Sequence, residues 1–496
     1  MNTPHVTVIG GGLTGLVAAH RLITGPVPVR VTVIEESPRL GGEVRSVTTG
    51  GQVVELGLDP REDPAGPLPP GGLSSPSGAD PTPVALMERL GVGHDLVMEA
   101  RPRRHVLLRG ALHRVPDGSI EGVPLHLRPV AGSGLISPAG LARAGLDRLR
   151  TDDWPGVDES VGDLVTRRLG REFATNLVEP VIGTTFGSGI WELSAAAATP
   201  RLAAAARRNR SLIAGLRAEE GRGTTEPPRT QGTLRRGLRS LVDRLVDSLA
   251  DQNLRTGTKV RSIESRGGRE GSHRVVLEGG EEFTTDGIVI ALPAPRAAQL
   301  VAPRCPDAAR TLSAIDYAPI ATAVLALDPA SLRGTGISPA GGVHDHPRSG
   351  DPMSGSPTTD IALPFSEGRL SSRIQLRAND GRSSPTVVRI VAGHLGDDRC
   401  TQLDDDELID ALGHELSTVL GFEGRVREWH VNRRHWEFPR MAPGHRGRLG
   451  RILAEVRSNM PGVELASLTF EGTGLSAQLR TGTGAAGSLL DRLPRP

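Results

Sequence analysis

Three glycines near the N-terminus have the spacing of a dinucleotide-binding turn. The sequence Gly10-x-Gly12-x-x-Gly15 follows the apolar run 6–9 and opens a segment with helical periodicity. Glycines at these positions allow a tight turn, a close approach of the backbone to a pyrophosphate, and close packing of the helix on the sheet. The amides at the start of that helix would bind phosphates, because they are free and lie at its positive dipole end.

An acidic residue, Glu35, follows at the position expected to bind the ribose of a dinucleotide. Glu35 lies 20 residues after Gly15, at the end of a second run of β-branched residues. Its carboxylate can accept hydrogen bonds from ribose hydroxyls. A glycine-rich turn without a ligand is the alternative. The order of strand, turn, helix and second strand favours the dinucleotide site.

The elements that must hold this site belong to a globular α/β chain of 496 residues. It contains 58 basic and 57 acidic residues, which argues against nucleic-acid binding. No membrane span is expected, because no apolar run approaches about 18 residues, and the N-terminus lacks the pattern of a secretory signal. Only Cys305 and Cys400 are present, which excludes a disulfide scaffold and fits a cytoplasmic location.

Apolar periodicity predicts the other elements. Leu234, Leu238, Leu241, Val242 and Leu245 mark an amphipathic helix. The pair His344-x-His346 lies in a polar loop and offers too few ligands for zinc, so we predict no metal site. The predicted strands are 6–9, 29–35, 257–264, 273–278 and 287–291, the helical segments are 83–91 and 136–220, and the loops are 60–82 and 344–358.

A second motif indicates which dinucleotide binds. The sequence RLGGEVRS at 39–46 follows Glu35 and resembles the Arg-x-Gly-Gly-Arg-x-x-Ser/Thr signature of flavoproteins with the glutathione-reductase type of FAD fold. Glu43 replaces the second arginine of that signature, so one phosphate contact is missing from the pattern. A simple nicotinamide dehydrogenase does not need this loop, which favours FAD over NAD.

Longer segments resemble the protoporphyrinogen and coproporphyrinogen oxidase family of haem synthesis, and the resemblance covers nearly the whole chain. Amine oxidases and carotenoid desaturases share only the nucleotide-binding parts of it. The segments that carry the resemblance are 161–170, 177–187, 233–238, the Trp, Pro and Gly-His sequence at 436–445, and the Gly-x-Gly-Leu start of the last helix at 472–475.

The resemblance implies an α/β fold with mixed α+β insertions. Its FAD-binding domain is Rossmann-like and discontinuous in sequence, and it is accompanied by a mixed-sheet substrate domain and a helical subdomain. The implied boundaries are 1–65, 225–300 and 446–496 for the FAD domain, 66–95 and 301–445 for the substrate domain, and 96–224 for the helical subdomain.

The activity implied is the oxidation of coproporphyrinogen III or protoporphyrinogen IX to the porphyrin, with FAD accepting hydride and dioxygen reoxidising it. Expected partners are the porphyrinogen, dioxygen, a ferrochelatase-type pathway protein and, at most, a peripheral membrane contact. The residues implied to line the cofactor are Gly10, Gly12, Leu13, Thr14, Gly15, Glu35, Glu36, Arg39, Gly41, Gly42, Val260, Gly474 and Leu475.

The substrate side is less defined, and no catalytic acid–base pair is evident. Phe186 is the candidate for an apolar residue that faces the macrocycle, with core packing as the alternative. Substrate carboxylates need arginines. The candidates are Arg101, Arg103, Arg104 and Arg167, and a solvated basic face is the alternative for each.

Two other functions stay open. The chain could be another flavin oxidase of the amine oxidase or desaturase superfamily, although only 2% of its residues are aromatic, too few to favour an aromatic cage. It could also be a degenerate, non-catalytic homologue. Ser467-Leu468 stand where relatives have a Gly-Asn or Gly-Asp pair near the cofactor, which predicts weakened FAD binding.

Overall fold

The computed structural model describes residues 3–62, 83–149, 157–220, 230–265, 272–328, 358–377 and 385–493. Their elements form two large sheets and a group of helices, which is the predicted mixed α/β class. The predicted loop at 60–82 lies largely outside the described residues, as do His344 and His346.

A five-stranded parallel sheet carries the glycine-rich turn. Its strands are buried on both faces, as the runs of Val and Ile predict, with Val6, Val8, Val33 and Ile288 fully enclosed. The carboxyl ends of such strands meet along one edge, where ligands bind in open α/β sheets. In spatial order the strands are Asn253–Arg255, Arg30–Ile34, His5–Ile9, Gly287–Ile290 and Val463–Leu465.

Two helices pack against each other over this sheet. Leu13–Ile23 follows the first strand, and Leu475–Leu490 is the last helix of the chain. Gly482 makes the close contact possible, because a Cβ there would lie 2.5 Å from the carbonyl oxygen of Thr14. The first and last helices therefore fix each other's position.

A seven-stranded sheet forms the second layer. Its neighbours pair antiparallel, except that Thr358–Ala362 runs parallel to Arg103–Leu108. In spatial order the strands are Val426–Pro439, Tyr317–Leu327, Thr386–Ala392, Ser371–Arg377, Thr358–Ala362, Arg103–Leu108 and Ala111–Arg114.

The helical region contains a π-helix, Ala174–Gly183, with Pro180 inside it. The π-helix is rare in proteins, and where it occurs it is frequently found at a functional site. Leu177 of the π-helix and Leu164, Phe173 and Leu202 of the α-helices on either side of it are buried in one apolar cluster. These α-helices are Leu127–Ala131, Pro138–Gly145, Val161–Leu169, Arg171–Phe173, Thr184–Phe186, Ala195–Ala198, Pro200–Arg208 and Leu212–Glu220.

The other elements complete these layers. The remaining α-helices are Pro83–Arg89, Arg239–Ser248, Ala294–Val301, Pro306–Ser313, Arg399–Gln402, Asp405–Leu420, His445–Asn459 and Leu468–Glu471. The smaller sheets pair Ser46–Thr49 with Gln52–Glu55, Leu96–Ala100 with Thr230–Leu234, Ser119–Ile120 with Val123–Pro124, and Val260–Ser265 with His273–Leu277 and Glu282–Thr285. Short 3₁₀ helices are Pro60–Glu62, Gly93–Asp95, Leu146–Leu149 and Phe365–Glu367. None of the helices in the described ranges is long and apolar enough to cross a bilayer.

The structure differs from the predicted elements in three places. Leu234 ends a strand instead of starting a helix, and the helix begins at Arg239. The two strands in 103–114 lie in the segment that we assigned to the helical subdomain, because Val106 and Leu107 complete the core beside the seven-stranded sheet. The helix Pro83–Arg89, assigned to the substrate domain, buries Leu86 and Met87 in the apolar cluster that also contains Leu16 of the first helix.

Candidate active site

The glycine-rich turn has the geometry that its spacing predicts. Gly10 adopts φ +106°, and a Cβ there would lie 2.4 Å from the carbonyl oxygen of Ala291. A Cβ at Gly15 would lie 1.9 Å from the carbonyl oxygen of Gly10. Gly12 is different, since its nearest neighbour would be the Cα of Gly42 at 3.8 Å. Gly10 and Gly15 are thus required by the fold itself, whereas Gly12 borders open space.

Glu35 lies next to this turn. One carboxylate oxygen accepts the amide of Gly11 at 2.7 Å, and the other accepts the amide and the hydroxyl of Ser37 at 2.9 and 2.7 Å. The carboxylate is therefore oriented by the protein. The oxygen that accepts the Gly11 amide has a further lone pair with which to accept a ribose hydroxyl.

The 39–46 loop runs directly over the turn. The amide of Gly41 donates to the carbonyl of Gly11 at 2.8 Å. Gly42 adopts φ +56°, and a Cβ there would lie 2.9 Å from the Cα of Gly12, so the approach needs glycine. The Arg39 guanidinium donates to the carbonyls of Gly42 and Val44. These two hydrogen bonds of Arg39 stabilise the conformation of the 39–46 loop.

A cavity of ≈ 410 Å³ opens beside the turn at the carboxyl ends of the first two strands. Gly10, Glu36 and Val260 line it, and Arg296 lies 3.9 Å from the Glu36 carboxylate. The position suits the adenosine end of a dinucleotide whose ribose reaches Glu35. The remaining lining residues are Ile9, Ile34, Thr258, Lys259, Leu292, Gln299 and Leu300.

The start of the last helix faces a second cavity. Gly474 precedes Leu475 with φ +101° and provides no side-chain cap. The first amides of a helix have no partner within it. Two hydroxyls in the preceding segment, Ser467 Oγ and Thr473 Oγ1, are buried and have no hydrogen-bond partner among the described residues. Buried polar atoms without partners are costly and rare. These hydroxyls and the positive end of the helix dipole therefore fit a polar cofactor such as FAD, and Leu13 and Thr14 begin the other helix at this edge.

The second cavity has a volume of ≈ 420 Å³, and Thr473 and Gly474 form one side of it. A further cavity of ≈ 260 Å³ adjoins it and shares Thr184, Thr185 and Arg373 with it. The other residues that line the larger of these two cavities are Leu58, Asp59, Val391, Arg434 and Phe438. Those that line the smaller one are Arg104, His105, Val115, Val181, Asp360 and Ala362. Together they form a cleft that leads away from the last helix.

Charged side chains dominate the polar part of this cleft. Arg373 donates two hydrogen bonds to Asp360, at 2.7 and 2.6 Å, and Arg104 approaches the same carboxylate to 3.4 Å. Burial raises the pKa of the Asp360 carboxyl, but the adjacent Arg373 outweighs it, so the pKa lies below its usual range. Arg61 likewise holds the pKa of the buried Asp59 well below its usual range, against the effect of burial. Both carboxylates are therefore ionised at neutral pH.

The predicted substrate residues are only partly in this cleft. Phe186 is buried in the apolar cluster of the helical region, and it is the adjacent Thr184 and Thr185 that line the cavities. Of the four candidate arginines, Arg104 lines the cleft, while Arg167 pairs with Glu159. Arg101 and Arg103 are not among the lining residues.

Sequence reasoning missed Arg373, Arg434, Asp360 and the two threonines. A signal existed for Arg373, because polar and apolar residues alternate in the strand Ser371–Arg377. A strand of alternating character that is buried along its whole length must place Arg373 and Gln375 in a polar interior.

Comparisons with known proteins agree with this geometry. The chain is 27% identical over 99% of its length to coproporphyrinogen III oxidase of Bacillus subtilis, of which it covers 98%. It is 28% identical over 99% of its length to protoporphyrinogen oxidase of Bos taurus, again covering 99% of that protein. A solved structure from Exiguobacterium sp. 255-15, assigned as a protoporphyrinogen oxidase, matches it with a TM-score of 0.79 and 22% identity, covering 99% of this chain and all of the other.

A family model gives the assignment. The model of flavin-containing amine oxidoreductases matches residues 13–490, nearly the whole chain. This confirms the predicted α/β fold class and the predicted FAD cofactor, and it makes the protein an FAD-dependent oxidoreductase. The chain belongs to the family of flavin-containing amine oxidoreductases.

Proposed function

We propose that the protein oxidises a porphyrinogen, either coproporphyrinogen III or protoporphyrinogen IX, to the corresponding porphyrin in haem biosynthesis. Dioxygen is the electron acceptor in this proposal. The observation that carries it is the set of arginines in the cleft beside Gly474, where Arg373 and Arg434 line one cavity and Arg104 the next. Porphyrinogens carry propionate groups, which arginine recognises in a bidentate manner.

FAD, when bound, supplies the acceptor for a hydride from the macrocycle. The chain's own residues bind, orient and shield. The N-terminus of the helix Leu475–Leu490 would stabilise negative charge on the bound cofactor, because the positive end of the helix dipole faces the cavity beside Gly474. Leu58, Val391 and Phe438 give the cavity an apolar wall that excludes water from the reacting carbon. Arg104, whose side chain is partly exposed, binds a propionate at the far end, where Arg373 is bonded to Asp360.

The same arginines disfavour an amine as substrate. An amine oxidase must accommodate a cation or its neutral form close to the flavin. Here Arg434 is buried, with its guanidinium 5.9 Å from the centroid of the Phe438 ring, and it lines the wall next to Gly474. Asp59, which lines the same cavity, is paired with Arg61, so a cationic substrate would meet the repulsion of Arg434 there and an anionic one its attraction.

Purified holoprotein tests the proposal. Visible flavin absorbance measures the FAD content, and the appearance of porphyrin fluorescence measures turnover of coproporphyrinogen III and of protoporphyrinogen IX separately. Turnover of either substrate with consumption of dioxygen is the expected result. A protein that holds FAD stoichiometrically but oxidises neither compound, and oxidises amines instead, would overturn the proposal.

The arginine requirement has its own test. Arg434→Gln should raise KM for the porphyrinogen about tenfold, the effect of roughly one charged hydrogen bond, with a smaller change in kcat. Arg440→Gln is the matched control, since Arg440 is partly exposed and pairs with Asp316 outside the cleft. The proposal includes a cytoplasmic location and a ferrochelatase-type protein as the acceptor of the product.

A further inference from the structure

The segment 467–474 forms the part of the cofactor site that comes last in the chain. It contains the short helix Leu468–Glu471 and leads to the N-terminus of the last helix. Ser467 Oγ and Thr473 Oγ1, which are buried and have no partner in the part of the chain that the structure describes, lie near its ends. Its position therefore determines where the cofactor's polar atoms find their partners.

Tyr317 holds this segment by a side-chain contact. Its hydroxyl accepts the amide of Ala294 at 3.0 Å and lies 2.8 Å from Thr469 Oγ1. Because the amide can only donate, the hydroxyl keeps its own proton available for Thr469. Burial raises the pKa of Tyr317, so the hydroxyl stays protonated. Tyr317 is the only tyrosine of the chain.

His445 holds the same residue by its main chain. Its Nε2 lies 2.8 Å from the carbonyl oxygen of Thr469. A carbonyl only accepts, so Nε2 must carry the proton. Burial lowers the pKa of His445, and the ring is neutral at neutral pH, with Nε2 as its donor. Thr469 is thus fixed at both its hydroxyl and its carbonyl.

Both holding residues come from the seven-stranded sheet and its continuation. Tyr317 begins the strand Tyr317–Leu327 and pairs in register with Pro439, the last residue of the neighbouring strand. His445 begins the helix that follows that strand. Trp436 packs edge-on against the Tyr317 ring, with centroids 5.5 Å apart. The contacts to Thr469 therefore join the seven-stranded sheet to the segment 467–474.

We propose that Tyr317 and His445 are positioning residues for the flavin end of the cofactor site. They hold Thr469, and through it the segment 467–474, at a place that the seven-stranded sheet determines. The inference depends on FAD as the cofactor and not on the identity of the porphyrinogen.

Replacing the two side chains in steps tests this. Tyr317→Phe keeps the ring contact with Trp436 but loses the hydroxyl, and it should weaken FAD binding about fivefold to tenfold, the net effect of one hydrogen bond. It should also change the visible circular dichroism of bound FAD. His445→Leu should act in the same direction, and His445→Gln, whose amide can replace Nε2 as donor, should restore the wild-type values.

A matched control separates positioning from general stability. Thr285→Val also removes a buried hydroxyl, which donates to the carbonyl of His5 at 2.8 Å, but it lies away from Thr469. It should lower the melting temperature without changing FAD affinity or the dichroism. If Tyr317→Phe lowers the melting temperature and likewise leaves both flavin readouts unchanged, the proposal is wrong.

A double-mutant cycle tests whether Tyr317 and Thr469 act through the same contact. Thr469→Val removes the same hydroxyl contact from the other side, so the double variant with Tyr317→Phe should bind FAD no more weakly than Tyr317→Phe alone. Additive losses would contradict the proposal. None of these measurements uses a porphyrinogen. If the variants behave as expected but the wild type oxidises no porphyrinogen, only the proposed substrate is wrong.

Discussion

Glu35 is the residue whose role follows most directly from its contacts. Glu35→Ala removes the acceptor of the Gly11 amide and the expected ribose contact. We expect the mutant to lose roughly 1.5–3 kcal/mol of FAD binding free energy, since charged hydrogen bonds have about this net value. Titration of the apoprotein with FAD measures the change. Unchanged affinity would remove Glu35 from the site, and Glu35→Gln, which keeps one acceptor oxygen, should fall between the two.

Gly12 allows a sharper experiment, because the space beside it is not filled by protein. A Cβ at Gly12 would make only an ordinary contact, at 3.8 Å, with Gly42. Gly12→Val should therefore fold, as judged by circular dichroism and melting temperature, yet purify without flavin. Gly15→Ala is the contrasting variant, since its Cβ would lie 1.9 Å from the Gly10 carbonyl and should disturb the fold itself. A full flavin complement in Gly12→Val would refute the dinucleotide interpretation.

The substitution of the Gly-Asn or Gly-Asp pair by Ser467-Leu468 predicts weaker FAD binding than in relatives. Ser467 adopts φ −160°, an extended conformation open to any residue, so its backbone does not require glycine. Leu468 is then the departure that matters. Leu468→Asn should tighten FAD binding by about 1 kcal/mol, the net value of one hydrogen bond, and adding Ser467→Gly should bring no further gain. Retention of stoichiometric FAD by the wild type through long dialysis, with brisk turnover, would argue against this weakening.

At the scale of elements, the contact between the first and last helices is the most sensitive to side-chain size. Gly482→Ala places a Cβ 2.5 Å from the Thr14 carbonyl, which the helices can relieve only by moving apart. We expect about 1–3 kcal/mol of lost stability, typical of overpacking, and weaker FAD binding, because both helix N-termini shift. Gly484→Ala in the same helix meets nothing within 4 Å and should instead stabilise the protein by up to about 1 kcal/mol. Chemical denaturation measures the change in stability of each variant. Equal changes in the two variants would contradict the packing argument.

The two halves of the site differ in how far the sequence predicts them. The turn, Glu35 and the 39–46 loop lie within a short stretch, so local spacing alone indicates their geometry. The cleft brings together Asp59, Thr184, Arg373 and Arg434 from four distant elements. The parallel pairing of Thr358–Ala362 with Arg103–Leu108 places Arg104 beside Asp360, and no local pattern announces that pairing. Phe186 illustrates the limit, because its motif identified the right turn of chain but not which side chain faces the cleft.

For the molecule as a whole, buried carboxyls predict the pH dependence of stability. Burial raises the pKa of Glu55 to about 7 from an ordinary value of 4.5, although Ser46 and the Leu238 amide donate to it. Asp59 raises it further, and Arg61 opposes this. Because the folded pKa is the higher one, the contribution of Glu55 to stability is fully present below pH 4.5 and is lost as pH rises through about 7.

Glu55→Gln tests this directly, since glutamine can satisfy both of those contacts. The variant should be more stable than the wild type at pH 8, by at most about 3 kcal/mol at 1.36 kcal/mol per pKa unit, and the advantage should shrink as the pH falls and be absent below pH 4.5. Denaturant unfolding at several pH values measures the difference. An advantage that does not change with pH would mean that Glu55 is ionised in neither range or in both.

The parallel sheet has a consequence for biosynthesis. Its central strand, His5–Ile9, is synthesised well before its neighbour Gly287–Ile290, and the edge strand Val463–Leu465 is synthesised after both. Pairings of such high contact order form late and slowly. Nascent chains that still lack Val463–Leu465 therefore expose an unfinished sheet edge and should be prone to aggregation. A cofactor that binds the folded sheet and not the unfinished one stabilises the folded protein, so we expect cells starved of riboflavin to accumulate protease-sensitive protein.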